Sequence, residues 1–338
     1  MIIILRTVAT DADITAVAEK ISAMGLEPHV SKGIQRIVIG AIGDETKVDK
    51  ELLEALPCVE NVVRVMKPYK IVSRDSHHEN TIIDVAGVKI GGKTVQVISG
   101  PCSVETTEQM QQSAAAVAAA GCSMMRGGAF KPRSSPYAFQ GVGVEGLEMF
   151  QTAARVHNLP IVTELMDVRM LDTFLEHNVD VIQIGTRNMQ NFDLLKEVGK
   201  VQTPVILKRG MSATISEWLM AAEYIAANGN HNIIFCERGV RSFETAYRNM
   251  LDVTAISVLK RETHLPVIVD PSHAGGKAWM VPDLSRAAIA AGADGLLIEV
   301  HPRPDEAWCD ADQALNPDQL NTLMGELRGI AQVIGRDL

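Results

Sequence analysis

The chain has 338 residues, of which 46% are hydrophobic and 22% are charged. Such a composition is typical of a folded globular protein of about two domains, and it excludes a disordered, collagen-like or disulfide-scaffolded chain. The formal net charge is −9 at pH 7, so a general basic surface for nucleic acid or anionic membranes is not expected, and any anion site must be local.

Two further features of the sequence indicate the cellular compartment of the protein. The opening run 1–6 is too short for a signal peptide, and no run reaches the ~18 apolar residues that a membrane-spanning helix needs. The five cysteines are odd in number and include no C-x-x-C pair. This cysteine usage suits a reducing compartment. We therefore predict a cytoplasmic protein without a membrane or nucleic-acid partner.

Residues 1–66 predict a small βαββαβ domain. A strand at 2–5 is followed by a helix that begins at the capping box Thr10-Asp11-Ala12-Asp13, and two strands follow around 28–31 and 36–41. A second helix and a last strand at 59–66 complete the unit. The apolar face of that second helix is predicted from Val48, Leu52, Leu53 and Leu56. This order of elements is ferredoxin-like.

The rest of the chain predicts a TIM (β/α)8 barrel. Residues 67–94 form a polar linker and a hairpin that closes the bottom of the barrel, and residues 95–338 form the barrel itself. Eight Val/Ile-rich runs alternate with helical patterns, at 95–99, 123–126, 160–164, 180–184, 204–208, 233–236, 266–269 and 295–299. The spacing leaves room for one helix after each strand, as the (β/α)8 fold requires.

Cations follow the barrel strands at the end where TIM barrels carry their chemistry. The six are Arg126, Lys131, Arg133, Arg187, Lys208 and Arg238. Any one of them could instead pair with a carboxylate to hold the rim of the barrel. Because six like charges at one mouth are costly without anions, phosphorylated or carboxylated substrates are favoured.

A second group of strand-end residues indicates a metal. Cys102, His273 and Glu299, with a later carboxylate such as Asp310, combine sulfur, nitrogen and oxygen donors. Each residue alone is more often structural, but their joint placement suits a borderline divalent cation. The other four cysteines are interpreted as inert core residues.

Several motifs, once placed at these strand ends, resemble those of a known family. The chain resembles the 3-deoxy-D-arabino-heptulosonate 7-phosphate (DAHP) synthases, in the branch that includes the 3-deoxy-octulosonate 8-phosphate synthases. The N-terminal module and its segment His29-Val-Ser-Lys-Gly33 resemble the regulated bacterial enzymes with a ferredoxin-like extension. The barrel motifs are Gly100-Pro-Cys-Ser103, Arg126-Gly-Gly-Ala-Phe-Lys-Pro-Arg-Ser134, Ile184-Gly-Thr-Arg187, Lys208-Arg-Gly210 and Asp270-Pro-Ser-His273.

The resemblance implies a transferase that condenses phosphoenolpyruvate with erythrose 4-phosphate, the first step of the shikimate pathway to the aromatic amino acids. Arg133 and Ser134 would bind the phosphate of erythrose 4-phosphate, with Ser where the motif more commonly has Thr. Lys131 is a candidate general acid, or acts by its charge alone. The residues implied to bind phosphoenolpyruvate are Arg126, Lys131, Arg187, Lys208 and Arg238. Those implied to hold a divalent metal of the Mn, Fe, Co or Zn type are Cys102, His273, Glu299 and Asp310.

The resemblance also implies regulation. An aromatic amino acid, Tyr or Phe, would bind near His29 and Ser31, where two N-terminal modules of a homo-oligomer meet, and would inhibit the enzyme. A homotetramer is the expected assembly. Alternatively, the module supports oligomerisation only.

Three other functions stay open at this point. A Schiff-base aldolase would use Lys208 or Lys131 as its nucleophile. An octulosonate 8-phosphate synthase would share the fold and chemistry, although Lys131-Pro-Arg133 is usually replaced there by a variant that contains Asn. A barrel without catalytic activity could serve as a ligand sensor.

Overall fold

A computed structural model of the chain describes residues 1–33, 37–43, 48–63, 67–133 and 135–338. They divide into two compact units, one of residues 1–80 with 261–264 and one of residues 81–260 with 265–338. Within these ranges no helix combines the length and apolar character needed to cross a membrane.

The first unit contains six elements, which in chain order are β1 (Ile2–Leu5), α1 (Asp11–Ala23), β2 (Glu27–Lys32), β3 (Ile37–Ile42), α2 (Lys50–Glu54) and β4 (Val59–Val63). The four strands form an antiparallel sheet with the strand order β2-β3-β1-β4. This is the ferredoxin-like arrangement, so the predicted fold of this unit is confirmed.

Helix α1 begins at the predicted capping box. The backbone N–H of Asp13 donates to Thr10 Oγ1 at 3.3 Å, and the backbone N–H of Thr10 donates to Asp13 Oδ2 at 2.8 Å. Ile14, Val17 and Ile21 recur at helical spacing and are buried in the core of the unit. The capping box satisfies N–H groups that the first turn leaves unpaired, while the apolar face supplies the packing.

Helix α2 corrects one part of the predicted apolar face. Leu53 is fully buried, whereas Leu52 is 44% exposed. The helix has only five residues and is preceded by the N-cap residue Asp49, whose side chain accepts a hydrogen bond from Leu52 N. Successive helical residues point about 100° apart, so Leu52 cannot share the buried face on which Leu53 lies.

The segment 67–80 is tied to Glu262 within the first unit. Tyr69 Oη donates to Glu262 Oε2 at 2.7 Å, and Lys67 Nζ lies 2.7 Å from the same oxygen. Hydrogen bonds from Lys67 and Tyr69 hold the pKa of Glu262 below its ordinary value. Tyr69 itself is buried. The segment is therefore ordered by specific contacts as well as by its chain connection.

The second unit is a closed barrel of eight parallel strands, which confirms the predicted (β/α)8 fold. Each strand pairs with its sequence neighbours, and the last pairs with the first. The strands are β7 (Gln96–Gly100), β8 (Met124–Arg126), β9 (Ile161–Glu164), β10 (Val181–Ile184), β11 (Val205–Lys208), β12 (Ile233–Glu237), β13 (Val267–Val269) and β14 (Gly295–Glu299).

Helices follow the barrel strands and cover the barrel. Helix α7 begins with the capping box of Thr214 and Glu217. The helices are α3 (Thr107–Ala119), α4 (Val144–Arg155), α5 (Leu171–Glu176), α6 (Phe192–Gly199), α7 (Ile215–Ala227), α8 (Val253–Glu262), α9 (Pro271–Gly275), α10 (Val281–Ala290) and α11 (Pro317–Val333).

A hairpin closes one end of the barrel. Strands β5 (Ile83–Val85) and β6 (Val88–Ile90) pair antiparallel, and their buried side chains share one core with inward-facing residues of the barrel strands. That core includes Met124 and Val181, each of which is the first residue of its strand. Access to the interior is therefore from the opposite end, where the strands finish.

Candidate active site at the carboxyl ends of the barrel strands

The four predicted metal ligands lie together. Cys102 follows β7, His273 lies in α9, Glu299 ends β14, and Asp310 is on the loop after β14. One ligand atom from each residue lies within 4.8 Å of the others. Three different strand ends and a following loop are thus brought to one point by closure of the barrel.

His273 has the geometry of a metal-binding imidazole. Its Nδ1 lies 2.7 Å from Asp270 Oδ2, and its Nε2 faces Glu299 Oε1 at 3.4 Å and Asp310 Oδ2 at 3.8 Å. Burial lowers the pKa of His273. A carboxylate that holds the Nδ1 proton leaves the lone pair of Nε2 directed at the ligand cluster, which is how metal-binding histidines are commonly oriented.

Asp310 holds its position in an unusual backbone conformation. Its φ is +51°, in the left-handed region that few residues other than glycine, asparagine and aspartate adopt. Its Oδ2 lies 3.4 Å from Cys102 Sγ and 3.7 Å from Arg248 Nη1. The left-handed turn directs the Asp310 carboxylate back to the cluster.

A cavity of about 320 Å³ opens beside these ligands. All six predicted cations line it, together with a seventh, Arg248. The charged and ligand residues of its wall are Arg126, Lys131, Arg133, Glu164, Arg187, Lys208, Arg238, Arg248, His273 and Asp310.

Two of the six predicted cations form ion pairs. Arg126 Nη1 lies 2.5 Å from Glu299 Oε1, and Lys208 Nζ lies 2.5 Å from Asp270 Oδ2. In the described ranges no carboxylate pairs with the remaining four, which are Lys131, Arg133, Arg187 and Arg238. Pairing at the rim therefore accounts for two of these cations, and the others remain available to an anion.

Arg238 shows this availability atom by atom. It is 4% exposed, and its Nη2 donates to the carbonyl of His273 at 3.3 Å. Its Nε and Nη1 are buried, as is Arg126 Nε, and none of these atoms has a hydrogen-bond partner among the described residues. Burial lowers the pKa of Arg238. Buried donors without partners are costly, so the site is built for an acceptor that the chain does not supply.

The two candidate Schiff-base lysines are both engaged as donors. Lys131 Nζ donates to the Cys102 carbonyl at 2.8 Å and to Cys102 Sγ at 3.0 Å, while Lys208 pairs with Asp270. A Schiff-base nucleophile needs a neutral amine. Against the effect of burial, the neighbouring Cys102 and Glu299 raise the pKa of Lys131. Lys208 is held in its ion pair with Asp270, so neither set of contacts favours a Schiff-base nucleophile.

Comparison with known proteins identifies the family. Residues 72–334 match the DAHP synthetase I family, and residues 1–67 match the DAHP synthase ferredoxin-like domain. The chain belongs to the DAHP synthetase I family. The resemblance found in the sequence and the expectation of an enzyme of this family are thereby confirmed.

Three relatives are informative. The phospho-2-dehydro-3-deoxyheptonate aldolase of Thermotoga maritima is 48% identical over 99% of each chain, and its crystal structure matches with a TM-score of 0.79 at 47% identity, covering 99% of this chain and 98% of the other. A truncated form of the T. maritima DAHP synthase covers 80% of this chain and 98% of its own, with a TM-score of 0.75 at 44% identity. The 2-dehydro-3-deoxyphosphooctonate aldolase of Syntrophotalea carbinolica is 32% identical over 75% of this chain and 96% of its own.

Cys309 corrects the prediction that the other cysteines of this family member are inert core residues. Although it is buried, Arg133 Nη1 lies 2.5 Å from its sulfur. Hydrogen bonding to Cys102 holds the pKa of Cys309 below its ordinary value, and the positive charges of Lys131 and Arg133 act in the same direction. The thiol therefore lies behind the cavity, in contact with Arg133 of its wall. Ser134, the predicted neighbour of Arg133 in phosphate binding, lies outside the described residues.

Arg248 and Gln313 were missed from the sequence. Arg248 Nη1 donates to Gln313 Oε1 at 2.8 Å, and Gln313 Nε2 donates to Glu299 Oε2 at 2.7 Å. Neither residue follows a strand directly. Arg248 lies in the long loop after β12, and Gln313 lies three residues after Asp310, between β14 and α11. A search for charged residues along whole loops, not only at strand ends, would have found Arg248.

The predicted effector residues lie on one strand of the first unit. His29 and Ser31 are both in β2, opposite Gly40 and Val38 of β3. Ser31 lines a cavity of about 190 Å³ with Gly33, Val38 and residues 76–79, whereas His29 is not part of its wall. Burial lowers the pKa of His29. Of the two residues, Ser31 therefore borders this cavity.

Proposed function

We propose that the chain is a DAHP synthase, which converts phosphoenolpyruvate, erythrose 4-phosphate and water into DAHP and inorganic phosphate. The observation that carries this proposal is that buried guanidinium nitrogens of Arg126 and Arg238, which have no hydrogen-bond partner among the described residues, lie in one cavity beside a cluster of possible metal ligands. Two multiply charged anions must come within bonding distance in this reaction, so cations supply both binding and proximity.

The comparisons favour erythrose 4-phosphate over arabinose 5-phosphate as the acceptor. The T. maritima heptonate aldolase matches 99% of the chain, whereas the S. carbinolica octonate aldolase matches 75% of it at lower identity. The run Lys131-Pro-Arg133 also agrees with the heptulosonate enzymes. Both lines of support are independent of the cavity geometry.

In the proposed mechanism, Arg126, Arg187, Lys208 and Arg238 bind the phosphate and carboxylate of phosphoenolpyruvate, and Arg133 binds the distal phosphate of the aldehyde. C3 of phosphoenolpyruvate attacks the aldehyde carbon, water adds at C2, and phosphate leaves. Lys131 lies where an ammonium can stabilise or protonate the developing alkoxide. When bound by Cys102, His273, Glu299 and Asp310, a divalent cation would supply a Lewis acid near the aldehyde oxygen.

The donor set fits such a cation. Its thiolate, imidazole and two carboxylates match a borderline metal of the Mn, Fe, Co or Zn type, and Asp270 fixes the His273 ring. All five cysteines are free thiols, in keeping with the reducing cytoplasm that we propose for the protein.

We further propose that the first unit makes the enzyme responsive to Tyr or Phe as part of a homotetramer. The cavity beside Ser31 supports a ligand site in this unit. A solved truncated relative that covers 80% of this chain supports a fold that forms without the full length of the chain. An effector can inhibit only by binding more tightly to a less active arrangement.

The deciding experiment measures phosphoenolpyruvate consumption by the full chain with erythrose 4-phosphate or arabinose 5-phosphate, with and without a chelator. Of the two sugar phosphates, we expect rapid turnover only with erythrose 4-phosphate. The chelator should abolish this turnover, and added divalent metal should restore it. Equal turnover of both sugars would contradict the acceptor assignment. Full activity after exhaustive metal removal would contradict the metal site.

A further inference from the structure

Glu105 is a buried carboxylate that the mechanism above does not use. Its side chain is 4% exposed. It accepts hydrogen bonds from Ser103 Oγ at 3.0 Å and from the backbone N–H of Trp308 at 2.9 Å, and its Oε2 lies 3.3 Å from His301 Nε2. All of these groups come from the two loops that follow β7 and β14.

The proton on His301 can be placed from its other contact. The backbone N–H of Arg303 donates to His301 Nδ1 at 3.1 Å, so Nδ1 is an acceptor and the neutral ring carries its proton on Nε2. His301 therefore donates to Glu105. The carboxylate thus receives three donors, which offsets the cost of burying its charge.

The two loops joined by Glu105 carry two of the proposed metal ligands. Ser103 follows Cys102 directly, and Trp308 precedes Asp310 by two residues. The β7 loop is itself fixed by Gln109, whose Nε2 donates to the Ser103 carbonyl at 3.2 Å and whose Oε1 accepts from Glu105 N at 3.4 Å. Glu105 therefore lies on a β7 loop that Gln109 fixes, and its hydrogen bonds hold the β14 loop against the β7 loop.

The backbone conformation of Asp310 requires fixed contacts on either side of it. A left-handed conformation costs most residues roughly 1–2 kcal/mol, and aspartate adopts it more readily than most because its side chain can hydrogen-bond locally; outside glycine such a conformation persists where the surroundings determine it. Among the described residues, the Trp308 N–H bonded to Glu105 is the nearest backbone hydrogen bond on the N-terminal side of Asp310, and Arg133 contacts the side chain of Cys309 between them. On the C-terminal side, Gln313 N donates to the Asp310 carbonyl at 3.2 Å.

We propose that Glu105 is a positioning residue that sets the separation of Cys102 and Asp310 and thereby tunes metal affinity. The inference rests on the metal site of the proposed function. Glu105 touches neither the metal ligands' donor atoms nor the wall of the cavity, and it acts through Ser103 and Trp308.

Glu105→Gln tests this role without changing side-chain volume. The amide has one acceptor oxygen and a donor nitrogen. In one orientation of this amide, its oxygen faces Ser103 and Trp308, and its NH₂ group then faces the Nε2–H donor of His301. In the other orientation, the NH₂ group faces the Trp308 N–H donor. In either orientation, therefore, at least one of the hydrogen bonds that Glu105 accepts from the β14 loop is lost. Glu306→Gln is the matched control, because Glu306 lies on the same loop but pairs with Arg303 at the surface.

The measurement is the Co²⁺ dissociation constant of the full-length metal-free protein, obtained by competition with a chromophoric chelator. We expect Glu105→Gln to bind Co²⁺ about 10–100-fold more weakly, as is typical when a group that orients a metal ligand is changed, and Glu306→Gln to match the parent. Activity of Glu105→Gln should recover as Co²⁺ is raised to saturation, which separates lost affinity from lost folding.

Ser103→Ala is a milder second variant that removes a single donor. We expect it to weaken Co²⁺ binding about five-fold, the equivalent of one ordinary hydrogen bond. If Glu105→Gln and Ser103→Ala bind Co²⁺ as the parent does, whatever their thermal stability, Glu105 is structural only and the inference is overturned. Failure of the parent itself to bind Co²⁺ would refute the proposed metal site, and the positioning role with it.

Discussion

The described residues of the first unit bury no charged side chain, and Ser73 and Thr263 are the polar ones buried there. The barrel instead buries Arg126, Lys131, Lys208, Arg209, Glu237, Arg238, Asp270 and Glu299 around its mouth. Burial of ionic groups is a poor way to stabilise a fold. The difference therefore indicates that the core of the first unit serves folding, whereas the barrel uses part of its stability to hold charges for chemistry.

Loss of the Cys102 thiolate, a proposed metal ligand, should have the largest effect on the activity of the barrel. We expect Cys102→Ala to lose bound metal and to lower activity by at least about 1,000-fold, the equivalent of ~4 kcal/mol in the barrier. The measurements are metal content and steady-state turnover. Cys122→Ala, at a buried cysteine outside the site, should retain both. Retention of metal by Cys102→Ala would show that the other three ligands suffice.

Removal of an unpaired guanidinium should have the next largest effect. Arg238→Ala should lower kcat/KM for phosphoenolpyruvate by roughly 30–100-fold, because about 2–3 kcal/mol of charge-assisted hydrogen bonding is lost. The variant should be at least as stable as the parent, since two buried donors without partners are removed. Arg303→Ala, at a surface ion pair, is the control. A loss of stability without a change in kcat/KM would assign Arg238 to the fold.

Deletion of residues 1–66 tests the division between the two units. We expect the barrel to keep kcat/KM within about threefold of the full chain, and to lose any inhibition by Tyr or Phe. Turnover is measured against effector concentration for both forms. An inhibited deletion variant would place the effector site in the barrel, and a full chain that neither amino acid inhibits would refute regulation by these effectors.

Glu262→Gln should have the smallest effect. Hydrogen bonds from Lys67 and Tyr69 lower the pKa of Glu262 from 4.5. Its ionised form therefore stabilises the fold above that pH, and the contribution is lost as pH falls through the lowered pKa. At pH 7 we expect about 1 kcal/mol less free energy of unfolding than in the parent, and we expect this difference to shrink as the pH falls through the lowered pKa of Glu262. Denaturant unfolding measures it, with the exposed Glu19→Gln as control; a difference that persists in acid would exclude ionisation as its cause.

The barrel strands were predictable because they are buried on both faces. Runs such as 204–208 and 295–299 stand out without reference to tertiary structure, and a parallel strand ends where TIM barrels place their ligands. Leu52 could not be placed in the same way. Leu52 and Leu53 are adjacent apolar residues that point about 100° apart on a helix, and a five-residue helix is too short for its periodicity to show which of the two is buried.

The loop residues around the site were harder to predict for a different reason. Glu105 and Trp308 are 203 positions apart, and Arg248 and Gln313 are 65 apart. Loops carry no periodicity that relates such residues to each other. Cys309 shows the same limit, because its partner Arg133 lies on the loop after β8 and nothing in the local sequence distinguishes it from a core cysteine.

The left-handed backbone at Asp310 restricts how this position can change over evolutionary time. Asparagine and glycine accept the backbone but provide no carboxylate, whereas glutamate keeps the charge and meets the steric penalty. No single substitution at position 310 preserves both properties. A library randomised at this codon and selected for metal-dependent growth should therefore return aspartate almost exclusively, so that the route to a different ligand set passes through an earlier change in the length of the loop.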